Sequence, residues 1–235
     1  MNDNIDLLPK MSVENAIRLF EVTPDRIYSP AVALAHAACR ELAKEAVRSI
    51  TISSAVWGEP YDEKGVEMAS LPWKQVFVDM QRMPDLMLVR VPKISIVAMG
   101  QLVKQRSDIG YRLIWDKILR EFGTQVEEPR WVLMTRDVLA GSRNRPYAEQ
   151  QEMAKSFKSY DVPSLREAIA CIFARLLQDG TRLYSDSPWT YTRCQENLNG
   201  FQTVVGGFAP TGLFVSDNFY FFDNNKISVA AMRKF

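Results

Sequence analysis

The sequence predicts an α+β fold, helix-rich in its N-terminal and central parts and closing in an antiparallel β unit. Three observations carry that reading. A helix is framed at both ends between Ser164 and Gly180, helical apolar spacings dominate the chain before it, and the last third is a series of short β-rich stretches cut by glycines and asparagines.

Ser29 followed by Pro30 supplies a side-chain acceptor and a pre-set φ ahead of Ala31 to Arg48, which predicts a helix of about five turns. Its apolar stripe is Leu34, Ala35, Ala38, Leu42 and Ala46. Ile50, Ile52 and Val56 stand in a β-rich run ended by Gly58 and Pro60, and the polar stretch from Tyr61 to Gly65 reads as a loop. Between Trp73 and Met83 the spacing of Val76, Phe77 and Met80 favours a helix over a strand. Leu86 to Val91, enclosed by Pro84 and Pro92, is short enough for a buried strand. Ser95 caps a helix through Gln105, Ile109 to Phe122 forms another that Gly123 closes with a positive φ, and Trp131 to Thr135 returns to strand.

Ser164, Leu165, Arg166 and Glu167 form a capping box, in which each of the outer side chains satisfies the other residue's free backbone N–H. Leu165, Ile169, Ile172, Phe173 and Leu176 follow on one face. Beyond Ser187 the expected strands are Thr190 to Cys194, Phe201 to Phe208, Leu213 to Val215, Phe219 to Phe222 and Ile227 to Met232. Asn197 to Gly200, Gly206-Gly207, Gly212 and Asp223 to Asn225 separate them as turns. In the first of these strands Trp189, Tyr191 and Arg193 share one face, with Thr190 and Thr192 on the other. The elements divide into a helix-rich segment at 1–85 and an α/β region at 86–235 ending in a β-rich unit over 200–235, as two parts or one continuous domain.

Composition restricts the function classes. With 47% hydrophobic residues and a formal net charge of +1 in 235 residues, the chain has the material for a core and no global attraction to nucleic acid or anionic membrane. The longest apolar neighbourhood, Ala31 to Cys39, is interrupted by His36 and falls far short of the ~20 residues a bilayer span needs. Asp3 and Asp6 occupy the place where a secretory leader carries basic charge. Three widely spaced cysteines, Cys39, Cys171 and Cys194, suit reduced thiols. The expectation is therefore a cytoplasmic protein, or one delivered to a host cell by a specialised secretion machine.

From Val91 onward the chain resembles an otherwise uncharacterised family of chlamydia-related intracellular bacteria whose members commonly carry an F-box near the N-terminus. The resemblance lies in LIWDKI at Leu113 to Ile118, VLAGSRN at Val138 to Asn144, RLYSDSPWTYTRC at Arg182 to Cys194, VVGGFAPTGLFV at Val204 to Val215 and VAAMRKF at Val229 to Phe235. It implies a host-interaction role and assigns no activity to any residue. An F-box opens near a Leu-Pro pair and docks on a ubiquitin-ligase adaptor. Here Leu8-Pro9, then Ile17, Leu19, Phe20 and Cys39 to Leu42, match that pattern only faintly. The glycine-punctuated ending also resembles the close of C-type-lectin-like domains, in which the last strand returns to an early one. That resemblance makes Phe208 to Asn225 a display surface for binding.

Each chemical constellation has a plainer account. His36 and Cys39, one helical turn apart, together with Cys171 and Cys194 would number enough for a tetrahedral zinc, but no Cys-x-x-Cys pair exists. A buried histidine and buried thiols are the simpler reading, so no cofactor or metal is expected. Gly206, Gly207 and Gly212 lack the Gly-Lys-Ser/Thr of a phosphate loop and read as a bulge or bend. Arg136-Asp137 and the loop Gly141 to Arg145 follow a strand, where Arg143 and Arg145 could hold an anionic partner and Asn144 could cap the segment after Pro146. Eight of the 25 aromatic residues lie in the last 35 positions, a local excess. In the run Phe219, Tyr220, Phe221, Phe222, alternation sends rings to both faces, one of which needs a cover.

The expected function is thus protein binding, with Arg143, Arg145, Phe208, Phe219, Tyr220 and Phe221 as the partner surface. A hydrolase or transferase using Asp137, Arg143 or Cys194 is the first alternative, and a divergent F-box adaptor is the second.

Overall fold

The structure, a computed structural model, describes residues 73–83, 85–217 and 224–235. The expected helix Ala31 to Arg48, the strand Ile50 to Val56, the F-box segment, the His36–Cys39 pair and the aromatic run Phe219 to Phe222 lie outside the described residues.

The described elements alternate before they turn to β. α1 spans Trp73–Arg82, β1 Leu86–Val91, α2 Ile96–Ser107, β2 Tyr111–Ile114, α3 Asp116–Phe122, β3 Arg130–Thr135, α4 Tyr147–Lys155 and α5 Leu165–Asp179. Then follow β4 at Tyr191–Leu198, β5 at Phe201–Ala209, β6 at Gly212–Ser216, a 3-10 turn at Asn224–Lys226, β7 at Ile227–Ser228 and β8 at Met232–Lys234. The α+β class stands. One sheet has the order β1-β3-β8 and is antiparallel throughout; the other has the order β2-β6-β5-β4-β7. In the second sheet the middle pairs are antiparallel, whereas β2 and β7 join its two edges in parallel.

The capping box forms as the residues dictate. Ser164 accepts from the Glu167 N–H, the Glu167 carboxylate accepts from the Ser164 N–H, and Gly180 ends α5 at a φ of 76°. Its burial exceeds the single expected stripe. Every residue from Leu165 to Ala174 is buried, because α5 runs through the middle and packs on α2, β1, β4 and β5. Around it Tyr111, Phe173 and Phe208 stack edge to face in series, at 5.0 and 6.1 Å between ring centroids.

Four expectations are corrected by tertiary context. Ile109 to Phe122 is not one helix: Asp108, in the left-handed conformation at the end of α2, is followed by β2, and α3 starts only at Asp116. Helical spacing of Ile109, Leu113 and Ile114 loses to pairing with β6, a partner about a hundred residues away in sequence. Gly123 closes α3 in the right-handed conformation, φ −58°; what it supplies is room, since a Cβ there would lie 2.3 Å from the Leu119 carbonyl oxygen. Asn144 does not cap α4; the cap position is Pro146, and Asn144 takes a positive φ of 58° in the preceding turn. Finally, Ile227 to Met232 is not a continuous strand. β7 pairs with β4 in one sheet, and β8 pairs with β3 in the other.

Between β7 and β8, Val229, Ala230 and Ala231 are fully buried and bonded outside either ladder. Their N–H groups donate to Ser142 Oγ, Thr192 Oγ1 and Thr135 Oγ1. This supplies partners for backbone that no strand serves.

Gly206 and Gly207 lie within β5, not at a turn, and the β5–β6 register shifts just after them. The glycine pair makes a bulge on which aromatic rings rest. A Cβ on Gly207 would stand 2.4 Å from the Tyr191 hydroxyl and 2.8 Å from the Trp189 ring. Trp189 and Tyr191 stack nearly parallel at 6.1 Å, so they share a face as their alternation predicts.

Candidate functional site

The residues expected to form a partner surface do not gather in one place. Phe208 is fully buried against Phe173 and presents no surface, because the β5 bulge turns it into the core. Phe219, Tyr220 and Phe221 lie outside the described residues. Arg143 is a brace: its guanidinium donates to Thr190 Oγ1 at 2.8 Å and to the Asn225 carbonyl at 3.1 Å. Arg145 donates to the Gly141 carbonyl and to Glu149, one turn into α4, and stands half-exposed on the rim of a groove.

The enzyme alternative finds no assembly. Cys194 is fully buried, and burial pushes its thiol well above the ordinary range, away from the thiolate that nucleophilic work requires. Cys171 is in the same condition. Asp137 is exposed and accepts from the Val138 N–H, a local turn contact. Among the described residues no group of three metal-ligating side chains converges, and no helix is long and apolar enough to cross a membrane.

What does converge is built on α4. Arg145, Ala148, Glu149, Glu152, Met153 and Ser156 recur at helical spacings of three and four, which puts them on one face. Leu139 and Ala140, in the loop before the helix, and Phe157, just after it, complete the lining. The result is an open groove of about 720 Å³ with a mostly apolar lining. From Tyr147 to Lys155 its helical wall is about 12 Å long at the α-helical rise.

Ser156 and Phe157 also line a second cavity, of about 480 Å³ and polar character, so the two form one trough. Its floor is the buried Asp79 on α1. That carboxylate accepts from Gln75 at 2.8 Å on one oxygen, and from Arg233 at 2.8 Å and the Tyr160 hydroxyl at 3.3 Å on the other. Burial, followed by the charge of Asp79, raises the Tyr160 pKa, which keeps the hydroxyl protonated and donating. Phe157 packs edge to face on Tyr160 at 6.2 Å and so links the apolar wall to the polar floor. Arg82 and Lys158, both exposed, stand at the mouth.

Sequence reasoning missed Asp79, Lys158, Tyr160 and Arg233, and it made no helix of Tyr147–Lys155. A local signal for that helix existed. Pro146 precedes it, and Arg145/Glu149 and Lys155/Glu152 sit at ion-pair spacings of four and three. Nothing local pointed to Asp79 and Arg233, which are 154 positions apart.

No family model, no curated protein and no solved structure matches this chain.

Proposed function

We propose that this chain is a protein-binding module, and that the trough along α4 is where a segment of a partner protein lies. The observation that carries the reading is the 720 Å³ apolar groove, walled on one side by a helix face and open to solvent among the described residues. A groove of this size suits one or two apolar side chains of a partner. An extended peptide advances ~3.3 Å per residue, so the helical wall is matched by about four residues of such a segment. Binding of this kind depends on a few well-packed apolar anchors surrounded by a polar rim, and Arg145, Glu149 and Glu152 supply the rim. The absence of a converging nucleophile, acid and base among the described residues leaves the enzyme reading without a comparable observation.

Selection from a displayed peptide library on the folded protein tests this. Selected sequences are expected to carry a large apolar residue, to bind the full chain reversibly, and to lose at least tenfold in affinity on Met153→Glu, which places a charge in the groove wall. Val126→Glu, at an exposed site outside the groove, serves as the control. Selected peptides that bind Met153→Glu as well as the parent would overturn the assignment, as would a library from which nothing apolar is enriched.

A further inference from the structure

We infer that the polar end of the trough selects an acidic residue of the partner segment, placed a few positions from its apolar anchor. The inference rests on the protein-binding reading and adds to it the charge of the occupant. Asp79 alone would oppose an anion there. Its charge, however, is offset by Arg233 at 2.8 Å, and its two oxygens are already engaged by three donors from Gln75, Tyr160 and Arg233. The floor is therefore formally neutral and has little accepting capacity left for a cation or a donor.

The mouth is different. Arg82 and Lys158 both face the cavity, both are exposed, and neither forms an ion pair with another described residue. Two cations above a neutral floor give this end a formal charge of +2. The Ser159 hydroxyl adds a neutral donor beside them, whereas that of Ser156 donates to the Met153 carbonyl at 2.7 Å. On the α4 wall Arg145 and Glu149 pair with each other, and the largely exposed Glu152, one turn before Ser156, has only a 4.0 Å contact to Lys155. An acidic residue of the segment is attracted over Arg82 and Lys158, whereas the same residue set beside Glu152 on the α4 wall meets a like charge.

The probes are two amidated peptides identical except for one position, each an acetylated leucine, an alanine spacer and then glutamate in one and glutamine in the other. Binding is followed by NMR through the methyl group of Met153 and by the chemical shifts of the Lys158 backbone. The glutamate peptide is expected to bind about tenfold more tightly at low salt, in keeping with a charge-assisted contact. That preference should shrink as salt rises and vanish in the double variant Arg82→Gln/Lys158→Gln, which changes only exposed side chains. Equal binding of both peptides with Met153 still shifting would overturn the charge selection and leave the groove reading standing. If neither peptide moves Met153, the groove reading itself fails. A glutamate preference that survives both high salt and the double variant would also overturn the inference.

Discussion

Replacing Gly206 by alanine tests the β5 bulge, and Gly180 provides its counterpart. Both glycines have positive φ, 149° at Gly206 and 76° at Gly180, a region where an L-residue pays roughly 1–2 kcal/mol. Their surroundings are opposite. At Gly180, just past the end of α5, a Cβ would meet nothing within 4 Å. At Gly206 it would lie 2.3 Å from the Thr190 carbonyl oxygen and 2.8 Å from the Tyr191 Cα. Those are backbone atoms at the start of the paired strand β4 and of the residue before it, where Gly206 faces Tyr191, so no side-chain rotation relieves the clash. Forced repacking adds ~1–3 kcal/mol to the conformational term. Gly180→Ala should therefore lose about 1–2 kcal/mol, and Gly206→Ala about 2–5 kcal/mol. For a chain of this size the corresponding falls in melting temperature are about 2–8 °C and on the order of 10 °C. Urea unfolding of both variants beside the parent, with the slope compared as well as the midpoint, measures the difference. Equal losses in the two variants would refute the argument, because they would mean that backbone conformation alone, and not the approach of β4, demands glycine in the bulge.

Three further outcomes follow from buried groups. Glu196 is mostly buried, and burial raises its pKa even though the Leu165 N–H donates to it at 2.7 Å. A raised carboxyl pKa means the folded state holds its proton longer, so this contribution is present below the ordinary carboxylate range near ~4.3 and is lost as pH rises through the folded value. Glu196→Gln should thus flatten the fall in urea midpoint above about pH 4 and should not destabilise the protein at neutral pH; a steeper pH dependence in the variant would contradict this. Cys171 and Cys194, buried with raised pKa values, should resist an aromatic disulfide reagent until the protein unfolds, as peptide mapping of the labelled thiols would report. Deleting residues 227–235 removes the fully buried Ile227 and Val229 and the nearly buried Met232, worth ~1.5–3 kcal/mol each, against a typical stability of about 5–15 kcal/mol. The truncated chain should lose cooperative melting, and a sharp transition near the parent midpoint would show the tail to be dispensable.

Legibility followed the range of the interaction that decides each element. The α5 helix was readable because Ser164, Glu167 and Gly180 act within their own turn, and β1 because prolines bracket it. Tyr111–Ile114 was misread because its strand character comes from β6, and the tail was misread because Val229 to Ala231 satisfy their backbone on threonine and serine side chains from three other places. Periodicity along the chain has no access to either fact. The trough was illegible for the same reason. Its apolar wall joins the loop at Leu139 to α4, and its polar floor needs α1 to meet β8. Among the described candidate residues Arg145 was the one that the structure placed on its edge, while Phe208 showed how an aromatic in a β-rich ending can serve the core alone.

The split between β7 and β8 has a consequence for how the protein is made. Within eight residues the chain closes the edge of the five-stranded sheet and then supplies an outer strand of the three-stranded one. Both additions come after every other described strand has been synthesised. Until residues 227–234 have emerged, neither sheet can be completed, however long the earlier segments wait. The unpaired edges of β3 and β4 are then open to a neighbouring chain. A nascent polypeptide of this design is safest when the stretch carrying β7 and β8 emerges quickly, and synonymous codon changes that slow translation near that stretch should increase aggregation without altering a single residue.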